Sequence, residues 1–199
     1  MPAPTPRGRA RREQLVEATA ALVAEHGYHQ VGVVDIGAAA GVSGAAIYRH
    51  FAGKQDLLVA VIERAVDALM GRAEAIVAAA ASPTDAIEGL IHTHVEFAMT
   101  ETALITVYDQ EAHNLEDAAR RRLRRQQRAY TELWIDVLQR IAPERSRDAL
   151  SIAVHGAFGL LNSVADHRRA LGDEACASLL FEMADGALGT AIQTPTPSS

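Results

Sequence analysis

The sequence predicts an all-α fold. Three observations lead there: apolar residues recur at spacings of three and four, no stretch sustains the period-two alternation of a half-buried strand, and glycine or proline falls where helices of ordinary length would stop. No self-similarity at a fixed period points to a repeat architecture.

The elements follow in order. Leu15, Ala18, Leu22 and Val23 form a first helical stripe, closed by Gly27. A short second helix is expected from about Val33 to Ala40, ended by Gly41, and Ser43 is placed to cap a third that reaches His50. A long fourth helix is expected from Lys54 to about Ala81, where Ser82-Pro83 stops it. The fifth spans about Asp85 to Met99, the sixth Ala103 to His113, and the seventh Leu115 to Ala142 ahead of Pro143. An eighth, from Ser146 to about Asp166, and a ninth, from Asp173 to about Thr190, complete the chain. Domains are expected over residues 7–53 and 54–192, with residues 1–6 and 193–199 as flexible tails of Pro, Thr and Ser.

The chain has 199 residues, 49% of them hydrophobic, a formal net charge of -6 and one cysteine. That composition suits a globular protein and excludes a disulfide scaffold, since Cys176 has no partner within the chain. With no apolar segment behind the Pro- and Arg-rich start and no run of 18 apolar residues, a cytoplasmic protein without membrane contact is expected. Charge is unevenly placed. Residues 1–54 hold six Lys/Arg against four acids, and the remainder thirteen against twenty-one, so a mildly basic head precedes an acidic body. Eighteen of the nineteen basic residues are arginine, and Lys54 is the sole lysine.

The informative stretch runs from Asp35 to Lys54. Two short helices flank Gly41-Val42-Ser43, where glycine accepts the positive φ of a tight turn and Ile36, Ala40, Val42 and Ile47 are spaced to bury between the helices. This is a helix-turn-helix pattern, whose second helix enters the DNA major groove. Residues 9–58 resemble the DNA-binding domain of TetR-type transcriptional regulators, on the turn, the Tyr48-Arg49-His50-Phe51 run and Lys54-Gln55-Asp56-Leu57-Leu58. The rest of the chain is similar to that family only in length and helix layout.

The resemblance implies a homodimeric, ligand-responsive repressor, released from a palindromic operator by a small molecule. It assigns Tyr48, His50 and Lys54 to phosphates, a role that a phenol, an imidazole and an ammonium near helix ends can fill; Phe51, read from the residues alone, is expected in the core. The chain departs from the family where bases would be read: Gly32 stands in place of a capping hydroxyl, Val34 in place of a polar residue, and the recognition helix opens on Gly44-Ala45-Ala46 after Ser43. Few side chains there can form bidentate bonds to base edges. Arg49, an N-terminal arm of Arg7, Arg9, Arg11 and Arg12, and DNA shape are therefore expected to carry more of the specificity.

In the body, Ala149, Ala153, Gly156, Ala157 and Leu160 of the eighth helix and Leu179, Leu180, Met183 and Ala187 of the ninth form two stripes. Buried core would give the same spacing, and the family resemblance favours a four-helix dimer interface. Candidate effector-binding residues are His92, Phe97, Tyr108, Glu111, Arg128, Tyr130, Trp134, Phe158 and Asn162. Glu96, His113 and His155 belong to the same polar set. The run Arg120 to Arg128 reads as a solvated helix face with Glu116–Arg120 and Asp117–Arg121 pairs. It also reads as a basic mouth, on Arg121, Arg124, Arg125 and Arg128, beside an apolar cavity.

The second reading suits an acyl-CoA or another lipid metabolite, and Tyr108 to Leu138 is similar to acyl-CoA-responsive members of the family. A repressor of an efflux gene answering xenobiotics stays open. From another class, Glu88, His92 and Glu96 fall four apart with His94 beside them, a spacing open to a metal-binding enzyme, but one helix face supplies too few ligands for a closed site. No phosphate-cradling glycine loop, nucleophile elbow or Cys-x-x-Cys occurs, so neither catalysis nor a cofactor is expected.

Overall fold

The structure is a computed structural model that describes residues 6–163 and 172–193. Among the described residues it holds nine α-helices, one single-turn 3₁₀ helix and no strand. In chain order these are α1 (Pro6–His26), the 3₁₀ turn (Tyr28–Gln30), α2 (Val33–Ala39), α3 (Gly44–Ile47), α4 (Lys54–Ala79), α5 (Pro83–Thr100), α6 (Thr102–Glu111), α7 (Asp117–Ile141), α8 (Arg147–Asn162) and α9 (Asp173–Gln193). The chain divides into two compact units, one of Met1–Ala65 with Thr106–Leu123, the other of Val66–Ile105 with Arg124–Ser199.

The first unit is built on α1. Its inner face buries Leu15, Val16, Thr19 and Val23, and α2 and the 3₁₀ turn pack against it. Thr19 is buried at low cost because its hydroxyl donates to the Leu15 carbonyl at 2.7 Å. Ile36 and Ile47 are fully buried, and Phe51 nearly so, which joins α2 and α3 into one apolar wedge. Gly27 ends α1 with φ 78°.

The second unit is a helical cluster in which α5, α8 and α9 pack together. Its core gathers Leu90, Ile91, Trp134, Leu138, Leu150, Val154 and Leu161, with Cys176 buried as a free thiol. Ser82 caps α5, its hydroxyl accepting from the Asp85 amide at 3.1 Å, with Pro83 as the first helical residue. Ser146 caps α8 in the same way through the Ala149 amide.

Four local expectations need correction. The arginines expected as an extended arm lie in the first turns of α1, because nothing between Pro6 and Leu15 breaks the helix. The recognition helix is shorter than expected: Tyr48 is its C-cap, and residues 48–50 form a turn. The side-chain pairs Glu116–Arg120 and Asp117–Arg121 give way to Arg120–Asp117, one turn apart, and to Arg122–Glu63 at 2.8 Å. Pro6 and Gln193, expected in the tails, are the first residue of α1 and the last of α9; the remaining tail residues, and the part of the eighth-helix expectation beyond residue 163, lie outside the described residues.

Candidate functional site

The α2–turn–α3 segment is held by its backbone. Gly41, at φ 66°, follows the last turn of α2, and two hydrogen bonds close it: Gly41 N–H to the Ala38 carbonyl at 3.1 Å and Val42 N–H to the Gly37 carbonyl at 2.8 Å. These are the paired bonds of a Schellman ending, which requires the left-handed conformation that glycine adopts freely. Gly37 is buried at the crossing, and a Cβ there would lie 2.9 Å from the Val42 carbonyl oxygen and 3.3 Å from Gly44 N. Close approach of α3 to α2 therefore needs a glycine.

At the start of α2, Gly32 has no side chain to offer. The cap is made from the other side, with Asp35 Oδ2 accepting from the Gly32 amide at 2.8 Å. Ser43 occupies the N-cap of α3, but its side chain makes no capping bond.

The segment presents an apolar face to the outside. Val34 is 75% exposed and Tyr48 61% exposed, with Ala45 and Arg49 exposed beside them and Gly44 and Ala46 half-buried. Val34 reaches to 4.0 Å from the position a Gly44 Cβ would take, so the two sit together at the opening of α3. A hollow of about 440 Å³ lined by Gln55, Asp56, Glu116 and Arg122, and one of about 340 Å³ lined by Arg11, Leu15, Val42, Ala46, Arg49 and His50, flank this unit. Arg11 and Arg12 are anchored within the head: Arg11 donates to the Ala40 carbonyl at 3.4 Å, and the Arg12 guanidinium lies 4.6 Å above the Phe51 ring. Arg7 and Arg9 are exposed on the same helix.

Lys54 opens α4. Its Nζ sits 4.1 Å above the Tyr28 ring, a cation–π seat that fixes the ammonium beside the head. Partial burial lowers its pKa, and the negative charge of Glu111 pulls it back up. The same two causes, burial and Glu111, both raise the pKa of Tyr28. Glu111 was expected to touch an effector. The structure sets it in the head unit instead, 3.3 Å from His29 Nε2 and within reach of Asn114, whose carbonyl accepts from Gln55 at 2.8 Å. Tyr108 also belongs to that unit.

In the second unit the structure brings together five of the expected residues, Phe97, Tyr130, Trp134, Phe158 and Asn162, around one that was not assigned to the site, His94. The His94 ring stacks on Phe158 at 4.6 Å with an interplanar angle of 9° and on Tyr130 at 5.7 Å, and Trp134 stands edge-on at 6.0 Å. Its two nitrogens lie 3.2 Å from Tyr130 Oη and 3.2 Å from Asn162 Oδ1. Burial pushes the imidazole pKa down to about 4, against a smaller upward pull from Asn162, so it is neutral at physiological pH. Burial likewise raises the Tyr130 phenol.

His92 does not join this cluster. It lies on the opposite, exposed face of α5, stacked on Phe181 at 4.1 Å, and Glu96 on that face pairs with Arg72 at 3.1 Å. Arg121, Arg124, Arg125 and Arg128 are exposed on α7, whereas Tyr130 and Trp134 are buried, so the basic stripe and the rings occupy different faces of the helix. Helical periodicity carried the signal for His94: it shares the inner face of α5 with Leu90, Ile91 and Ala98.

A glycine-locked helix-turn-helix on an all-α body with a buried polar cluster defines the class of helix-turn-helix proteins with a helical companion domain. Residues 15–61 match the family model for bacterial regulatory proteins of the tetR family, and residues 80–185 match that for the tetracyclin repressor-like C-terminal domain. The chain belongs to the TetR family.

Among its relatives, the HTH-type transcriptional repressor KstR2 of Mycobacterium tuberculosis is 30% identical over 130 residues, a stretch that spans 65% of this chain and 65% of that protein. The solved structure of ketosteroid transcriptional regulator KstR2 of Mycobacterium tuberculosis matches at a TM-score of 0.70 with 24% identity, covering 90% of this chain and 93% of that one. AibR in complex with isovaleryl coenzyme A and operator DNA matches at 0.71 with 16% identity, covering 87% and 97%. At these identities the structural likeness establishes the fold.

Proposed function

We propose that the protein is a ligand-responsive DNA-binding regulator, a dimeric repressor whose operator affinity is lowered by a small hydrophobic metabolite of the acyl-CoA or lipid class. The observation that carries the DNA-binding half is the α2–turn–α3 geometry: a Schellman-locked turn with its apolar tip and Arg49 exposed, bordered by Tyr48, His50 and Lys54. In this reading Ser43, Gly44, Ala45, Ala46 and Arg49 face bases, Tyr48, His50 and Lys54 hold phosphates, and Arg7, Arg9 and Arg11 extend the basic surface along α1. Alanine and valine methyls can meet thymine methyls, while the phosphate contacts supply affinity.

Dimerisation is supported by an uncovered apolar face. Ile152 is 75% exposed, Leu179 45% and Met183 48%, although each is a large hydrophobic residue on α8 or α9. Helix α9 has a mean hydropathy of 1.3 over an 18-residue window of which only 22% is buried within the chain. A membrane would not suit it, because Glu182 and Asp185 interrupt the helix midway. A second copy of α8 and α9 would cover this surface and set two recognition helices over a two-fold operator.

The sensing half rests on the His94 cluster and on the relatives: KstR2 is described as a ketosteroid regulator, and AibR was solved with an acyl-CoA. Induction then requires the effector to favour the conformation that does not bind DNA. Helix α4 links the roles, since it starts with Lys54 and carries Leu69 and Ala73 of the second unit's core. The test is operator titration with and without candidate acyl-CoAs and a cationic drug. Operator binding weakened by an acyl-CoA supports the reading. Release by the drug alone would move the protein to the efflux class, and release by neither would remove the sensing role.

A further inference from the structure

Lysine is a long, rotatable side chain, and one that is free in solution loses much of its freedom when it grips a fixed point. Lys54, the sole lysine of the chain, is already seated. The Tyr28 ring lies 4.1 Å from its Nζ, an arrangement that favours the charged ammonium. Glu111 adds a second hold, because its negative charge raises the Lys54 pKa against the lowering caused by partial burial.

Glu111 stands at a place where an acid needs a reason. It is the last residue of α6, a helix with no basic residue in its last turn, and the negative end of a helix disfavours a carboxylate. Its side chain is only 14% exposed. Among the described residues its polar neighbours are Asn114 Nδ2 at 3.4 Å and His29 Nε2 at 3.3 Å, the latter on an imidazole that is 68% exposed and charged only when protonated. A carboxylate taken from water needs a cation, and the permanent one that responds to this carboxylate is Lys54.

The surrounding bonds keep Glu111 in register with the head. Asn114 N–H donates to the Glu111 carbonyl at 2.9 Å, and the Asn114 carbonyl accepts from Gln55, the residue after Lys54, at 2.8 Å. Residues 111–114 are thus tied to the 3₁₀ turn through His29 and to the first turn of α4 through Gln55, all within one compact unit.

We propose that Glu111 is a positioning residue for DNA binding: together with the Tyr28 ring it holds the Lys54 ammonium in place, so that the phosphate contact forms without ordering a free side chain. This rests on the DNA-binding reading above. The rival effect has the opposite sign, since a Glu111 carboxylate that chiefly repelled the phosphate would weaken binding, and its removal would tighten it.

A double-mutant cycle on the full-length protein separates these cases. The probe is a fluorescent duplex enriched from a random pool by the wild-type protein. Glu111→Gln keeps the size of the side chain and an acceptor for His29 and Asn114. It is expected to weaken binding roughly tenfold, since a dimer presents two such lysines, and to change a Lys54→Gln background by less than about twofold. Tyr28→Leu should weaken binding like Glu111→Gln, whereas Tyr28→Phe, which retains the ring, should bind like the wild type. Circular dichroism is expected to show unchanged helix content throughout. Tighter binding by Glu111→Gln, or the same loss in both backgrounds, overturns the proposal. If Glu111→Gln does not fold, the two Tyr28 variants decide alone, and equal affinities for them overturn it. A loss in Lys54→Gln without one in Glu111→Gln refutes this inference alone. No loss in Lys54→Gln, or no enriched duplex at all, refutes the DNA-binding reading of Lys54 and this inference with it.

Discussion

Replacing Gly37 by alanine introduces one methyl group at the tightest point of the head. Its carbon would sit 2.9 Å from the Val42 carbonyl oxygen, 3.3 Å from Gly44 N and 3.5 Å from Gly44 Cα. All three are backbone atoms, so no side chain can swing aside, and the comfortable separation for such contacts is roughly 3.5 Å or more. Relief must come from moving the turn or α3, which breaks the 2.8 Å bond from Val42 N–H to the Gly37 carbonyl that locks the segment. Overpacking of this kind costs about 1–3 kcal/mol. For a chain of this size that corresponds to a fall in Tm of roughly 2–12 °C.

The displaced α3 carries Ala45 and Ala46, the turn after it carries Arg49, and in the proposed reading each well-placed base contact is worth about 1–3 kcal/mol. Sequence-specific affinity should therefore drop at least tenfold, while the salt-dependent binding to random DNA persists. Differential scanning fluorimetry and operator titration by fluorescence anisotropy read both effects. Gly71→Ala is the matched control: Gly71 lies in the exposed interior of α4 with nothing within 4 Å of an added Cβ, and alanine there should stabilise by about 0.5–1 kcal/mol. If Gly37→Ala melts with Gly71→Ala, at or above the wild type, and binds the operator unchanged, the close α2–α3 packing described above is wrong.

Other predictions follow from the same residues. Lys54→Gln should weaken binding to all sequences alike and reduce the salt slope by about one per contact removed, so about two for a dimer; an unchanged slope would take Lys54 off the phosphate backbone. Ile152→Asp with Met183→Asp should turn a dimer into a monomer in sedimentation velocity while the helix content is kept, and a persistent dimer would place the interface elsewhere. His94 has a folded pKa of about 4 against an ordinary value of 6.5. The unfolded chain therefore binds a proton below about pH 6.5 that the native protein refuses until about pH 4, and stability falls as pH falls through that window, by about 2 kcal/mol at pH 5. Urea unfolding of wild type and His94→Gln at pH 7 and pH 5 should show the acid loss reduced by that amount in the variant.

What could be read from residue order was whatever depends on neighbours within one helix. The start of α4 at Lys54 and of α9 at Asp173 was legible in the residue order, whereas α4 ends at Ala79 rather than at about Ala81 and Ser82-Pro83 opens α5 instead of stopping its predecessor. The glycine-centred turn was legible as well. Four misplacements share a different origin. Asp117 pairs with Arg120 and not with the expected Arg121, while the neighbouring Arg122 reaches Glu63, 59 residues away. Glu111 and Tyr108 lie at the far end of α6, in a stretch, Thr106–Leu123, that belongs to the head unit although it comes late in the chain. His92 looked like a pocket residue because it is polar among apolar neighbours, but one hundred degrees per residue turns it away from the face that His94 shares with Leu90 and Ala98. Contacts across the fold set these environments, and spacing along one helix does not encode them.

In the proposed function the head acts as a paired, sequence-reading DNA clamp. Selection from a random duplex pool by the full-length protein, followed by footprinting of the enriched sequences, examines that directly. The expected result is an enriched inverted repeat with two protected half-sites whose centres lie about one helical turn or more apart, roughly 10 base pairs at least, and with protection lost in Gly37→Ala. No enrichment over random DNA, or a single unsymmetrical site protected equally by Gly37→Ala, would contradict it.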